Sequence, residues 1–218
     1  YGVGARPLNN VDGVRMSTAL AYLDPARHRI NLTIKANVTA RRVLFQGKRA
    51  VGVEVDSGGE RFTVEGNLIL LCAGAIASPQ LLMLSGVGPA DHLRSHGIDV
   101  VQDLPGVGQN LRDHPAVFIL FRCEGPALDR LAPGAQVGLR YTVEGSGTPN
   151  DVQIIPNLMT SEHFPAHLKA NLEGNFFGLS TALQNAATAG ELRLQSTDPH
   201  VQPYLNYRYL SDPWDRER

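Results

Sequence analysis

Residues 66–88 read GNLILLCAGAIASPQLLMLSGVG, and the fold class turns on them. Between Gly66 and Gly74 lies an apolar run, 67–73. A run of this length without alternation predicts a strand buried on both faces, as in a covered parallel sheet. Cys72 would then be a small core residue. Behind the run, Ser78 offers an N-cap oxygen, Pro79 suits a first helical position, 80–85 favours helix, and Gly86 can close it in the left-handed conformation. Strand, small-residue turn and short buried helix together make an α/β unit. Ligands of open α/β sheets sit beyond the carboxyl ends of the strands, and a helix N-terminus presents unpaired N–H groups. The turn 73–78 is therefore where a ligand would touch backbone.

Upstream, 1–10 is rich in Gly, Pro and Asn and reads as loop. Met16, Ala19, Leu20 and Leu23 recur at helical spacing and predict a short helix over 15–23, ended by Asp24-Pro25. Strands are predicted over 31–36, 42–45, 50–56 and 61–65, with turns at Gln46-Gly47-Lys48 and Asp56-Ser57-Gly58-Gly59. Downstream, 89–96 predicts a helix closed by Gly97, followed by a strand over 98–101. Gly106-Val107-Gly108-Gln109-Asn110-Leu111 imitates a dinucleotide fingerprint. Leu111 replaces the third glycine, and strand, tight turn and helix are not in sequence there, so it is read as a loop. From Pro115 the texture changes to short β-rich runs, 117–122, 152–158, 176–183 and 191–195, which suit one mainly antiparallel sheet. The connections 125–134 and 161–175 are long enough to be lids, binding loops or surface excursions.

With 218 residues, 43% hydrophobic, the chain can bury a sizeable core. A formal charge of -1 without a basic run gives no reason to expect nucleic acid or an anionic membrane. No apolar run is long enough to cross a bilayer. Cys72 and Cys123 have neither metal nor disulfide-framework spacing, which favours a reducing, cytoplasmic setting.

Seven histidines invite a search for acid–base or metal sites. His92 and His96 share a helix face but lack a third ligand, so a solvated helix end is expected. The neighbours Asp113 and His114 are read as structural hydrogen-bonding residues. Ser78 and Ser85 lack a nucleophile elbow. The residues alone thus assign no catalytic group and no metal.

Gly74, Ala75, Ser78, Pro79, Leu81, Leu82 and the run Ser85 to Gly88 resemble the second signature of the glucose-methanol-choline (GMC) flavoprotein oxidoreductases. The run DLPGVGQNLRDH at 103–114 resembles the segment that follows that signature in choline dehydrogenase-like members. Upstream, Arg15, Ser17, Ala21, Tyr22 and Leu23 with Asn31 and Leu32 are similar to the family's R-S-x-x-x-A-Y-L … N-L stretch, and downstream Asp198, Pro199, Pro203, Tyr209 and Leu210 resemble its D-P … P … Y-L stretch. The resemblance implies α/β plus α+β architecture: part of an FAD/NAD(P)-binding Rossmann-like domain with an inserted small β-meander, then a mainly antiparallel substrate-domain sheet. It divides the chain into 1–114, flavin side, and 115–218, substrate side. It implies FAD as cofactor, contacted through the backbone of Val38, Ala73 and Gly74, although Val38 reads equally as an ordinary strand valine. It also implies oxidation of a small-molecule alcohol by hydride transfer to flavin, with oxygen or another acceptor taking the electrons. The family's first phosphate loop and its catalytic histidine have no counterpart here, so the chain is read as an internal fragment with no catalytic residue of its own. Alternatives are a flavin-containing hydroxynitrile lyase or a non-catalytic binding domain. Where many relatives carry Ser-Arg-Gly, this chain has Thr188-Ala189-Gly190, so a choline-like substrate is not carried over.

Overall fold

The computed structural model describes residues 2–124, 135–160, 164–169 and 174–218. The expected loop 125–134 lies outside them, as do 161–163 and 170–173 of the other long connection. The chain begins with β1 (Gly2–Ala5), the two-residue strands β2 (Asn10–Val11) and β3 (Val14–Arg15), and a π-helical turn, Ala19–Leu23, running into α1 (Asp24–Ala26). A meander follows: β4 (Thr39–Gln46), β5 (Arg49–Ser57) and β6 (Glu60–Glu65). Then come α2 (Gly74–Leu84), β7 (Val87–Gly88), α3 (Ala90–Ser95), β8 (Gln102–Asp103) and β9 (Gln109–Leu111). The remainder is β10 (Ala116–Cys123), β11 (Val137–Tyr141), β12 (Val152–Thr160), α4 (Ala166–Lys169), β13 (Asn175–Leu183), β14 (Gly190–Arg193), β15 (Tyr204–Asn206) and α5 (Pro213–Glu217).

Two compact units divide these elements: Tyr1–Leu32, Asp113–Ala187 and Asp212–Arg218 form one, and Thr33–Arg112 with Thr188–Ser211 the other. One boundary falls between 112 and 113, beside the expected 114/115 division; the segments at 1–32 and 188–211 make both units discontinuous.

The first unit is built on an antiparallel sheet ordered β1-β11-β12-β13-β10. Pairing puts Val117, Ile119 and Phe121 opposite Thr181, Leu179 and Phe177, which in turn oppose Ile154, Pro156 and Leu158. Alternation sends all of these to one face, which is therefore almost wholly apolar. At one end the face is sealed by Val152, Leu183 and Ala186, with Val143 and Ile154 packed on them. Val117, Ile119, Phe121 and Leu158 are exposed. Two expectations are corrected in this unit. Gly2–Ala5 is not loop but pairs as an edge strand with β11; its small residues give no alternation to read, and pairing comes from across the chain. Gly190–Arg193 leaves this sheet and pairs with β15 and β9.

In the same unit, Arg218 donates to Asp151 Oδ2 at 3.0 Å, to Asp215 Oδ1 at 2.7 Å and to the Asn185 carbonyl at 3.0 Å. All three charged side chains are at most 3% exposed. Each carboxylate also accepts a backbone N–H, from Val143 and Ala187 respectively. Arg218 lies over the Trp214 ring, and α5 is capped by Asp212, which accepts the Trp214 N–H at 2.8 Å.

In the second unit the meander follows its turn signals, with Gly47, Gly58 and Gly59 all at positive φ. Arg41 and Arg61 grip Asp56 at 2.6 and 3.2 Å, while Arg42 reaches Glu54 at 3.1 Å. The core gathers Met83, Leu93, Leu192 and Leu194, with Ile98, Val100, Val107 and Leu205 against it. Ser85 joins α2 to β4: its Oγ accepts the Val43 N–H at 2.8 Å and donates to the Leu81 carbonyl at 2.5 Å.

Residues 67–73 are not a buried strand. No described strand pairs with them, and Leu68 and Leu70 are 76% and 74% exposed. A strand covered on both faces needs neighbours along both edges and layers above and below; the described residues provide neither. Cys72, expected in the core, is exposed for the same reason. Two further predicted strands, 31–36 and 98–101, are irregular, and only Gln102–Asp103 pairs, in parallel with Val87–Gly88. The 15–23 helix is a π-turn from Ala19 with no buried residue, and Pro25 continues it because proline is tolerated in a first helical turn.

Candidate functional site

The turn into α2 is formed by Ala73, at φ -83° and ψ 8°, and Gly74, at φ +84°. Only glycine adopts that conformation without strain, and no atom lies within 4 Å of where a Gly74 side chain would begin. Both residues are exposed. No side chain caps the helix, so its first N–H groups face outward without intrahelical partners. The helix starts at Gly74 rather than at Pro79 as expected, because Ala75-Ile76-Ala77 continue it without a break. Pro79 consequently sits inside the helix, where it cannot donate to the Ala75 carbonyl.

Opposite the first half of α2 runs the loop from Gly106 to Arg112. With Ala75, Ser78, Pro79, Leu82 and Leu192 it encloses a mainly apolar cleft of about 430 Å³. The structure explains the imitation fingerprint in this loop. Gly108, at φ +82°, lies where any side chain would collide with the Leu192 carbonyl, and its own carbonyl accepts the Leu192 N–H at 2.6 Å. The glycine admits a strand, not a phosphate, and the loop passes into β9 with no helix behind it. Asn110, also at positive φ, accepts the Arg112 Nε–H at 3.0 Å.

Val38 is half-buried immediately before β4, beside Asn37, whose carbonyl accepts from Ser57 Oγ. It lies in the same compact unit as Ala73 and Gly74. The Asp113–His114 pair is exposed, and the His114 N–H donates to Asp113 Oδ1 at 2.8 Å. Among the described residues no group of His, Cys, Asp or Glu could hold a metal ion.

One histidine departs from its reading as a solvated helix end. His92 Nε2 accepts the N–H of Leu194 at 3.0 Å, and burial, then the charges of His96 and Arg193, push its pKa below the ordinary 6.5. Sequence spacing could not reveal this, because the partner is 102 residues away. Glu191, on β14, is a second group whose surroundings carry no local sequence signal. Hydrogen bonding from Arg193 lowers its carboxyl pKa against a smaller opposing effect of burial, helped by Arg208 and Gln109.

The GMC oxidoreductase family profile matches residues 2–116. An uncharacterised GMC-type oxidoreductase of Rhodococcus erythropolis is 34% identical over 225 residues, covering 99% of this chain and 42% of that protein. The oxygen-dependent choline dehydrogenase of Burkholderia mallei is 38% identical over 228 residues, covering 93% and 40%. Among solved structures, pyridoxine 4-oxidase from Mesorbium loti superposes with a TM-score of 0.84 at 27% identity, covering 99% of this chain and 43% of that one. The chain thus spans about two fifths of the length of these relatives. No described helix is long and apolar enough to cross a membrane. On the profile match and these identities together, the chain belongs to the GMC oxidoreductase family.

Proposed function

We propose that the protein is an FAD-dependent oxidoreductase that converts an alcohol to a carbonyl compound, and that this chain supplies part of its flavin-binding side and the sheet of its substrate side. The observation that carries the proposal is the turn at Ala73 and Gly74: exposed, left-handed at Gly74 and open, it leads into an uncapped eleven-residue helix within the stretch that the family profile matches. Such a helix start suits an anionic group of a dinucleotide. Ala73 and Gly74 would hold it by backbone, and Val38 would contact the adenine side by its main chain. The fit is partial, because the Gly106–Leu111 loop is closed on β14 and offers no phosphate cradle. Bound FAD supplies a hydride acceptor. The residues of 33–112 and 188–211 take the flavin-side role, and the apolar face of the five-stranded sheet gives the other unit its substrate-side role. Relatives named for choline and for pyridoxine, both alcohols, support the substrate class. Free Cys72 and Cys123 support a reducing, cytoplasmic setting.

The test uses the polypeptide encoded with the sequence flanking this chain on both sides. Purified and made anaerobic, it will be yellow and will bleach on addition of a primary alcohol from a panel. A flavin that stays oxidised with every alcohol but supports cyanohydrin cleavage would overturn the redox reading in favour of the lyase.

A further inference from the structure

His92 is fixed from two sides. On α3, its carbonyl accepts from Ser95 Oγ at 2.7 Å and contacts His96 Nδ1 at 3.0 Å, and the two imidazole rings meet edge to face at 4.7 Å. Across the core, its Nε2 accepts the Leu194 N–H at 3.0 Å. An imidazole accepts through a nitrogen only when that nitrogen carries no proton, so the neutral ring must bear its hydrogen on Nδ1. Leu194 is 4% exposed and packs with Met83, Leu93 and Leu192. Its N–H has no access to water as a substitute partner without loosening that core.

We propose that His92 is a proton-sensitive latch: neutral, it holds the end of β14 against α3 through the Leu194 N–H, and protonated, it lets go. The released strand is the one that carries Leu192, whose N–H holds Gly108 and which lines the cleft beside α2. Acid therefore loosens the wall of the candidate site without touching it, whether or not flavin binds there. The charged and titratable groups around His92 all favour the neutral ring or are already paired. From its own helix come His96 and the mutually paired Asp91 and Arg94; from β14 comes Arg193, held by Glu191 at 2.9 Å. The sign follows from the lowered pKa. The unfolded chain takes up the proton first, so the latch is fully engaged above the ordinary value of 6.5 and is lost as pH falls from there through the folded value.

The experiment follows amide exchange at Leu194 in the 218-residue chain by NMR, corrected for the intrinsic effect of pH, alongside the ring nitrogens of His92. In the wild type, protection at Leu194 will fall at least tenfold between pH 7.5 and pH 5, in step with ring protonation, while Val53 in β5 holds its protection. His92→Gln, which can accept through Oε1 but does not titrate, will keep Leu194 protected across the range. The same fall in His92→Gln, or constant protection while the wild-type ring protonates, would overturn the latch. Should the variant not fold, the wild-type ring decides: a proton on Nε2 at pH 7.5 refutes the proposal, and one on Nδ1 with a bonded Nε2 upholds it.

Discussion

The meander β4 to β6 and the run 67–73 adjoin each other in sequence, and both look like strand. They differ in where their partners come from. Each strand of the meander meets its neighbour across a turn, and Val43 and Val55 within it are buried at 5% exposure. Among the described residues the apolar run has no such neighbour, and Leu70 stands 74% exposed. Hydrophobicity states that a segment wants covering; it does not say that the cover lies within the same stretch of chain.

The sharpest way to break this contrast is to place a charge in each region. Val43→Asp puts an unpaired carboxylate into the meander and should cost about 5 kcal/mol or more, comparable with the stability of a small domain. Circular dichroism should find no cooperative unfolding of the unit holding it. A folded, cooperatively melting Val43→Asp protein would contradict the packing described for β4.

The same contrast sets what could be read from the sequence. The meander, α3 with its Gly97 closure, the rejection of the Gly106 fingerprint and the antiparallel sheet from β10 to β13 were all legible, because turn glycines and alternation are local signals. Ala73 and Gly74 were legible as a backbone turn, though its geometry was not: the helix was expected to start five residues later, at Pro79. The exposure of 67–73, the edge strand Gly2–Ala5, the His92 bond and the Asp151–Arg218–Asp215 cluster were not legible. Each depends on a partner distant in sequence or, for 67–73, one that the described residues do not provide.

That buried cluster gives the next effect in size. Arg218→Met removes the cation from between two carboxylates that are fully buried. It should cost roughly 3 kcal/mol, since breaking a buried pair leaves charge uncompensated. Urea unfolding of the 113–187 unit measures it, and Asp151→Asn combined with Arg218→Met should recover part of the loss.

The smallest effect is the most telling for the comparison. Leu70→Asp, which would abolish folding if 67–73 were a buried strand, should change the stability of this chain by no more than about 0.5 kcal/mol, as expected of an exposed site. A large loss on thermal melting would return the run to the core.

The central claim, that this chain carries only part of a flavin site, is tested most directly by titrating the purified 218-residue chain with FAD and following flavin fluorescence. Backbone contacts from Val38, Ala73 and Gly74 contribute about 0.5–1.5 kcal/mol each, against association costs of roughly 4–15 kcal/mol. The account predicts no saturable, stoichiometric complex. A stoichiometric yellow protein would contradict it, and would mean that the Gly106–Leu111 loop, or another segment of this chain, holds the phosphates after all.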